Sequence, residues 1–561
     1  MDAPLVVTPP APIGTKATRW CLPAVALAAL VGGWLIVDAS PRSSATYDEV
    51  SYLEIGCRWW RTGDQERITR MGSPLTFWKL QQAPVLAVLD RTGHSDWIDD
   101  PIGHQAELLT HMRIGSLWIW ILGLIAVATW ARQAEGPRAM AFAAWLYALS
   151  PNLLAHAGLV TMEQPLVTAS AIQFWLFWRF LRFDESRSFW TSAMVGGLAF
   201  SCKFTAILFP PLFALAWASE RYRRGGIEGW KMLARMSASM ACYVLVLLAA
   251  DLVITAGATL PLSEQVDHHP KFEARFGARA TRLFSFALET PIPADWVGFA
   301  IQGRHQSGGG ASYLLGQRSL WGWRSYYLIA LAVKLPLSVF ALALVRLTIG
   351  RRPALRSGDL LIPVTLVAFL VLTSLGSSRN YGLRYLFPLA PAAIVGLSSL
   401  AERSRLIRRL TLIGLAGQAF AVASIHPHEL TFFNVAAGGP MGGMIILADS
   451  NLDWGQGARS LARLQLAEPA YRDLTFYAFG DTDPGFYGVV GRRIVVNADD
   501  IHSGLPERLE AETPYLAVST SLIHGPWGPA GYFDDLKRLR PVAQTDDRTI
   551  LIYRTPDSVR P

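Results

Sequence analysis

The chain has 561 residues, of which 51% are apolar and only 17% charged, with a mean hydropathy of +0.27. Soluble chains carry about 25% charged residues, so this composition excludes a disordered protein and an ordinary cytosolic enzyme. The formal charge is +8; in so apolar a chain the surplus belongs to cytoplasmic loops held by the positive-inside rule, and no nucleic-acid partner is expected. Twenty Trp and 26 Phe suit the aromatic belts of a membrane protein. Four Cys, at 21, 57, 202 and 242, are scattered without a CxxC, so neither a disulfide framework nor a zinc ribbon is expected. The chain reads as a polytopic membrane protein.

Charge-poor stretches long enough to cross a bilayer are predicted at 20–37, 114–131, 139–155, 163–180, 189–202, 204–219, 236–257, 325–346, 359–377, 386–401 and 409–425. The first exceeds a secretory h-region and is followed by ten more, so it reads as an anchor. The segments 1–19, 132–138, 179–188, 220–235, 346–357 and 402–409 hold twenty Lys and Arg, whereas 156–162, the turn at Lys203 and 378–385 hold three. That bias predicts a cytoplasmic N-terminus and an extracytoplasmic C-terminus. Residues 1–425 then form a transmembrane domain whose large outer loops are 39–113 and 258–324. Residues 426–561 form a C-terminal domain on the same face. Strand-like runs at 474–479, 493–497, 515–520 and 549–554 alternate with helix-like runs at 458–466 and 532–539, which predicts a small α/β fold.

Chemistry-bearing residues gather at that outer level. Asp48 and Glu49 lie ten residues past the first span, and adjacent carboxylates repel, which suits a general base, a metal site or a solvated helix start. Glu163 opens the fourth span, with Pro165 in its first turn, where a carboxylate also complements the helix dipole. Lys203, Arg379 and Arg384 break the positive-inside bias; they either snorkel to headgroups or hold the phosphate of a lipid-linked substrate. Lys334 is an intramembrane charge, with Asp251 as a candidate partner. Asp449, Asn451 and Asp453 place three oxygen side chains at alternate positions without the Gly and Glu of an EF-hand, so a structural or acceptor-positioning role is expected. Trp454 beside them offers a ring for a sugar face. His268, His269 and His305 do not form a convincing metal set. No phosphate loop, HExxH or nucleophile elbow is present.

In chain order, Asp48-Glu49, the run Ser150 to His156 leading to Glu163, and Gly197 to Lys203 form a series. Tyr313-Leu314-Leu315-Gly316, Val333-Lys334-Leu335-Pro336, Arg384-Tyr385-Leu386-Phe387-Pro388, His426-Pro427-His428-Glu429 and Asp449 to Gln456 continue it. Over 20–460 this series resembles the protein mannosyltransferase-like (PMT) superfamily of GT-C glycosyltransferases, which includes aminoarabinose transferases. Many relatives have Asp where this chain has Glu163. The resemblance implies an α-helical polytopic membrane protein, GT-C-like with about 11 transmembrane helices and a small C-terminal α/β extracytoplasmic domain, in a bacterial-type inner (plasma) membrane. It implies a glycosyltransferase moving a hexose or pentose from a polyprenyl-phosphate-linked donor to a hydroxyl of a protein, lipid or glycan acceptor, with inversion. Asp48 is the implied base, Glu49 and Glu163 its helpers, and Lys203, Arg384 and Arg379 the donor-phosphate ligands. Family members differ over a divalent cation; Mg or Mn held by Asp48, Glu49 and Glu163 stays open. The competing readings are a lipid-linked sugar transporter or flippase, whose charges would converge at mid-membrane, and a non-catalytic scaffold.

Overall fold

Each apolar stretch is helical, but prolines interrupt several of them. A proline has no N–H to continue the helical ladder and restrains the residue before it. The expected span at 139–155 divides into Pro137–Ala148 and Pro151–Ala157. That at 204–219 begins as the 3-10 turn Phe204–Leu208 before Phe209–Arg223, and that at 386–401 begins as the 3-10 turn Leu383–Leu389 through Pro388. At Leu335-Pro336 the helices Tyr326–Lys334 and Leu337–Thr348 meet at 106°. The computed structural model describes residues 16–224, 229–261, 277, 286, 289–349, 356–496 and 505–555. Among these, five helices are long and apolar enough to cross a membrane, or six if the bent pair is one span. The eleven expected crossings are therefore not all matched by a full-length helix; Ser186–Cys202 and Leu361–Gly376, for example, have 17 and 16 residues. The chain is a multi-pass membrane protein.

Close packing of the middle helices depends on glycine. A Cβ at Gly197, in Ser186–Cys202, would lie 2.6 Å from the Leu247 carbonyl oxygen of the helix Gly229–Ile254, so only glycine permits that approach. Phe174, Phe177, Phe213 and Tyr243 fill the space beside this contact, the Phe177 and Phe213 rings stacking at 4.2 Å. The basic short segments meet at one end of the bundle. There Arg138 N–H donates to Glu402, Arg356 to Ala134 O, and Arg224 to Leu181 O.

The other end carries the three large non-membrane segments, which touch one another. In the first, the helices Tyr47–Thr62, Phe77–Arg91 and Gln105–Gly115 enclose Leu53, Leu86, Leu108 and Met112. The second contains the ladder β1 (Thr259–Pro261) with β2 (Pro291–Pro293), the helix Ala294–Ser307, and the hairpin β3 (Ser312–Leu314) with β4 (Gln317–Ser319). The tail builds a five-stranded sheet from β5 (Leu474–Phe479), β6 (Arg492–Val496), β7 (Tyr515–Ser519), β8 (Ala543–Gln544) and β9 (Ile550–Arg554), in the order β6-β5-β7-β9-β8. β5 is parallel to β6 and β7, whereas β9 is antiparallel to β7 and β8. Four of these strands coincide with the expected runs within two residues, although Asn497 lies outside the described residues. The helix expected at 458–466 is Ala458–Ala467, and that at 532–539 is only the 3-10 turn Asp534–Arg538. His268 and His269 also lie outside the described residues.

One buried ion pair joins the first segment to the membrane helices. Thr46 and Glu49 form a capping box at the start of Tyr47–Thr62, Glu49 Oε2 accepting from Thr46 N–H and its hydroxyl, each at 3.0 Å. Glu49 also takes two hydrogen bonds from Arg113, at 2.9 and 2.5 Å, and one from Val160 N–H at 2.9 Å. Arg113 spends its remaining donors on the carbonyls of Ser40, Ser43 and Ser44. Burial opposes ionisation of Glu49, but Arg113 outweighs it and holds the carboxyl below its usual 4.5. Its contribution to stability is thus full above that value and lost as pH falls through the lowered one. Arg113→Met leaves a buried charge uncompensated, a loss on the order of 3–5 kcal/mol. The expected result is a clearly lower unfolding midpoint in detergent by tryptophan fluorescence, partly restored in the Glu49→Gln/Arg113→Met double variant.

Candidate active site

Four of the expected site residues form one ion-paired chain. Asp48 is the second residue of Tyr47–Thr62, Glu163 opens the helix Glu163–Phe183, and Lys203 follows Ser186–Cys202 in extended backbone. Arg384 sits in the 3-10 turn Leu383–Leu389. Arg384 Nη1 lies 3.1 Å from Asp48 Oδ2 and 3.5 Å from Glu163 Oε1, and Lys203 Nζ lies 2.9 Å from the same Glu163 oxygen. Asp48 is the most open of the four, with 26% of its side chain exposed, while Glu163 is buried at 1%. Gly382, at φ +121°, admits the Arg384 turn: a Cβ there would collide with Ser450 Oγ at 2.4 Å.

Aromatic rings steady the two cations. The Arg384 guanidinium lies 4.1 Å from the centroid of the Trp454 ring, and Lys203 Nζ 4.6 Å from that of Tyr385. Burial raises the Asp48 carboxyl, Arg384 pulls it back, and the Glu163 charge pushes it up again. Burial likewise lowers Lys203, against the pull of Glu163. The four formal charges cancel. Spare donors remain, because Arg384 Nη2 makes no hydrogen bond among the described residues and Lys203 Nζ makes one.

The other expected residues lie elsewhere or do different work. Glu49 is next to Asp48, but its oxygens are taken up by Arg113, Thr46 and Val160. Arg379 is separate from the ion-paired chain; its Nε donates to Gly309 O at 2.7 Å. Lys334 is not paired with Asp251: its Nζ donates to the Leu430 and Asn451 carbonyls at 2.9 and 2.6 Å, and its ammonium lies over Phe433. Asp251 instead shares a buried contact with Asp295 of the second large loop. Trp454 offers no open sugar platform, since it is 2% exposed and its ring carries Arg384. Asn451 accepts from Leu383 N–H at 3.0 Å, and Asp453 accepts from Ser521 N–H at 3.0 Å, so both hold the fold.

Arg113, Tyr385 and His156 were not legible as parts of this site. His156 is buried against Phe387, 4.8 Å between ring centroids, and its Nδ1 has no partner among the described residues. The available signals were Thr-x-x-Glu at 46–49, which marks a capping box, and an arginine opening an apolar run, which asks for a counter-charge. Asp48 Oδ2 and Glu163 Oε1 are engaged by a guanidinium and an ammonium, and no group of three His, Cys, Asp or Glu converges among the described residues.

Residues 106–253 match the family model of the dolichyl-phosphate-mannose-protein mannosyltransferases. Over this segment the chain is similar to that family. The matched segment holds Arg113, Glu163 and Lys203. No curated protein sequence matches the chain. Among solved structures, ArnT from Cupriavidus metallidurans bound to undecaprenyl phosphate aligns at 14% identity over 96% of this chain and 98% of that one, with a TM-score of 0.48. Its apo state aligns over the same shares at 17% and 0.48. AglB from Archaeoglobus fulgidus, in complex with an inhibitory peptide and a dolichol-phosphate, aligns at 13% over 91% and 70%, with a TM-score of 0.39.

The direction of the Asp48 shift is open to measurement. Its carboxyl is expected to titrate above the ordinary Asp value of about 3.9. Arg384→Gln removes a lowering charge and moves it higher still. The protonated-carboxyl infrared band, assigned by difference from Asp48→Asn, reads both.

Proposed function

We propose that the chain is a membrane glycosyltransferase that moves a sugar from a polyprenyl-phosphate donor to an acceptor hydroxyl, with inversion at the anomeric carbon. The observation that carries this reading is the chain Asp48–Arg384–Glu163–Lys203, a half-open carboxylate touching a cation pair with unused donors. The donor phosphate binds Arg384 Nη2 and Lys203, whose charges stabilise the anion as it leaves. Asp48 takes the acceptor proton while the acceptor oxygen bonds to the anomeric carbon. The electron pair of the broken bond departs on the phosphate oxygen. Glu163 fixes Lys203 and Arg384 and, with Asp48, balances their charge until the phosphate arrives. No step is assigned to a metal.

The donor's hydrocarbon needs an apolar channel beside the phosphate. A cavity of about 250 Å³ is lined by Leu383, Leu386 and Phe387, immediate neighbours of Arg384, and by Leu331, Leu366 and Leu370. The positive-inside count supports an extracytoplasmic position for this site. The bent helix pair at Pro336 with its buried lysine is the feature that favours a transporter. Lys334, however, is already committed to the Leu430 and Asn451 carbonyls, so it is not a free midplane site.

Asp48→Asn is expected to lower transfer from polyprenyl-phosphate sugars by about 10²–10⁴-fold, the range of general-base catalysis, while the unfolding midpoint is kept. Unaltered turnover would remove Asp48 from the mechanism, and movement of lipid-linked sugar between leaflets without transfer would favour transport. Leu370→Trp fills the cavity and is expected to raise KM for long-chain polyprenyl donors severalfold more than for short-chain ones. Equal effects would place the hydrocarbon elsewhere.

A further inference from the structure

The block 448–456 is fastened by almost every polar side chain it owns. Ser450 Oγ donates to Tyr381 O; Asn451 Nδ2 donates to the Tyr326 hydroxyl at 2.9 Å and to Ala448 O at 3.0 Å. Asp453 accepts from Gly455 and Ser521 N–H, and Gln456 bonds to Leu452 O and Trp454 N–H. Asp449 is the exception. Its carboxyl is buried, 7% of the residue being exposed, yet no side chain among the described residues hydrogen-bonds or ion-pairs with it; the Ser450 backbone alone reaches it. It also adopts φ +59°, a left-handed conformation that few residues with a Cβ accept. Its charge acts on Asp48, Arg384, Tyr381 and Tyr385. The fold thus holds a buried acid beside the base without a side-chain partner of its own among the described residues.

A second polar group to account for is the Trp527 indole N–H, reached through a row of stacked rings. Tyr47, adjacent to Asp48, stacks on Phe479 with centroids 5.9 Å apart, and Phe479 stacks on Trp527 at 5.7 Å. Trp527 in turn lies 6.1 Å from Tyr381, whose carbonyl holds Ser450. Trp527 Nε1 is buried with no partner among the described residues. A buried indole N–H without a partner among the described residues, and a buried carboxyl held only by one backbone group, carry a desolvation cost unless a ligand satisfies them.

We infer that Asp449 binds a second hydroxyl of the acceptor while Asp48 deprotonates the first, so that the acceptor is a saccharide with neighbouring hydroxyls and not a lone alcohol. This rests on the transfer reading above. The Trp527 N–H supplies a donor to a further acceptor oxygen, and the rings of Tyr381 and Trp527 offer apolar faces to sugar C–H groups. Burial raises the Asp449 carboxyl to about 7 against the pull of Arg384, so near neutral pH it can accept or donate to a hydroxyl. The Asp449 contact breaks no bond; the proton still passes to Asp48 and the electron pair to the phosphate.

The test compares n-octyl β-D-glucopyranoside, below its micelle threshold, with n-octanol, below its solubility limit, as acceptors for the purified full chain. The donor is whichever undecaprenyl-phosphate hexose or pentose supports turnover. Wild type is expected to favour the glucoside in kcat/KM. Asp449→Gly, which suits φ +59°, is expected to lower the glucoside-to-octanol ratio about tenfold, chiefly through the glucoside KM, as befits a lost hydrogen bond to a charged group. Asp449→Asn, which also tolerates that backbone, falls between, so misfolding does not explain the loss. An unchanged ratio in Asp449→Gly, or equal use of both acceptors by wild type, overturns the inference. No turnover of any lipid-phosphate sugar by wild type overturns the transfer reading itself.

Discussion

The site depends on the buried contact between Glu49 and Arg113. Glu49 is 0% and Arg113 1% exposed, so neither charge has water to fall back on. Together they tie the 40–46 segment, the start of Tyr47–Thr62, the helix Gln105–Gly115 and the backbone at Val160 to one point. Asp48 precedes Glu49 by one residue, and Glu163 follows Val160 by three. Fixing this pair therefore fixes the distance between the two carboxylates that meet Arg384. A buried ion pair is a costly way to gain stability, but it defines geometry well, because only one arrangement satisfies every donor.

Charge is distributed accordingly. At one end of the bundle, loop arginines pair with acids or backbone carbonyls. At the other, Lys203 and Arg384 are balanced by Glu163 and Asp48 in a closed string, with ring faces beneath the cations. The cations of this string retain donors that the carboxylates do not use, which is what the proposed donor phosphate requires. The block 448–456 completes the enclosure: Trp454 supports Arg384, Asn451 holds Leu383 and the Lys334 ammonium, and Asp453 docks on the tail domain at Ser521.

Much of this was legible in the residues. The outlying cations Lys203 and Arg384 and the acids Asp48 and Glu163 could be selected because each broke a compositional rule, and all four meet in space. Strands β5, β6, β7 and β9 were visible as apolar runs between turn residues. The less legible features were those in which partner identity matters. Lys334 stands in an apolar helix and called for an acid, but the carbonyls of Leu430 and Asn451, about a hundred residues further along the chain, serve instead. Trp454 had the composition of a sugar platform, but long-range packing placed Arg384 on its ring.

The sequence by itself determined the membrane class, the two charged ends of the bundle, the α/β tail and the gathering of acids and outlying cations on one face. These follow from local composition and periodicity, which act over a few to a few tens of residues. Only the tertiary structure decided which carboxylate is structural and which is half-open, since Asp48 and Glu49 are identical in kind and adjacent in the chain. The helix started by Thr46 turns Glu49 toward Arg113, 64 residues away, and Asp48 toward Arg384, 336 residues away. Partners so distant are chosen by the packing of whole helices, and that information is not local.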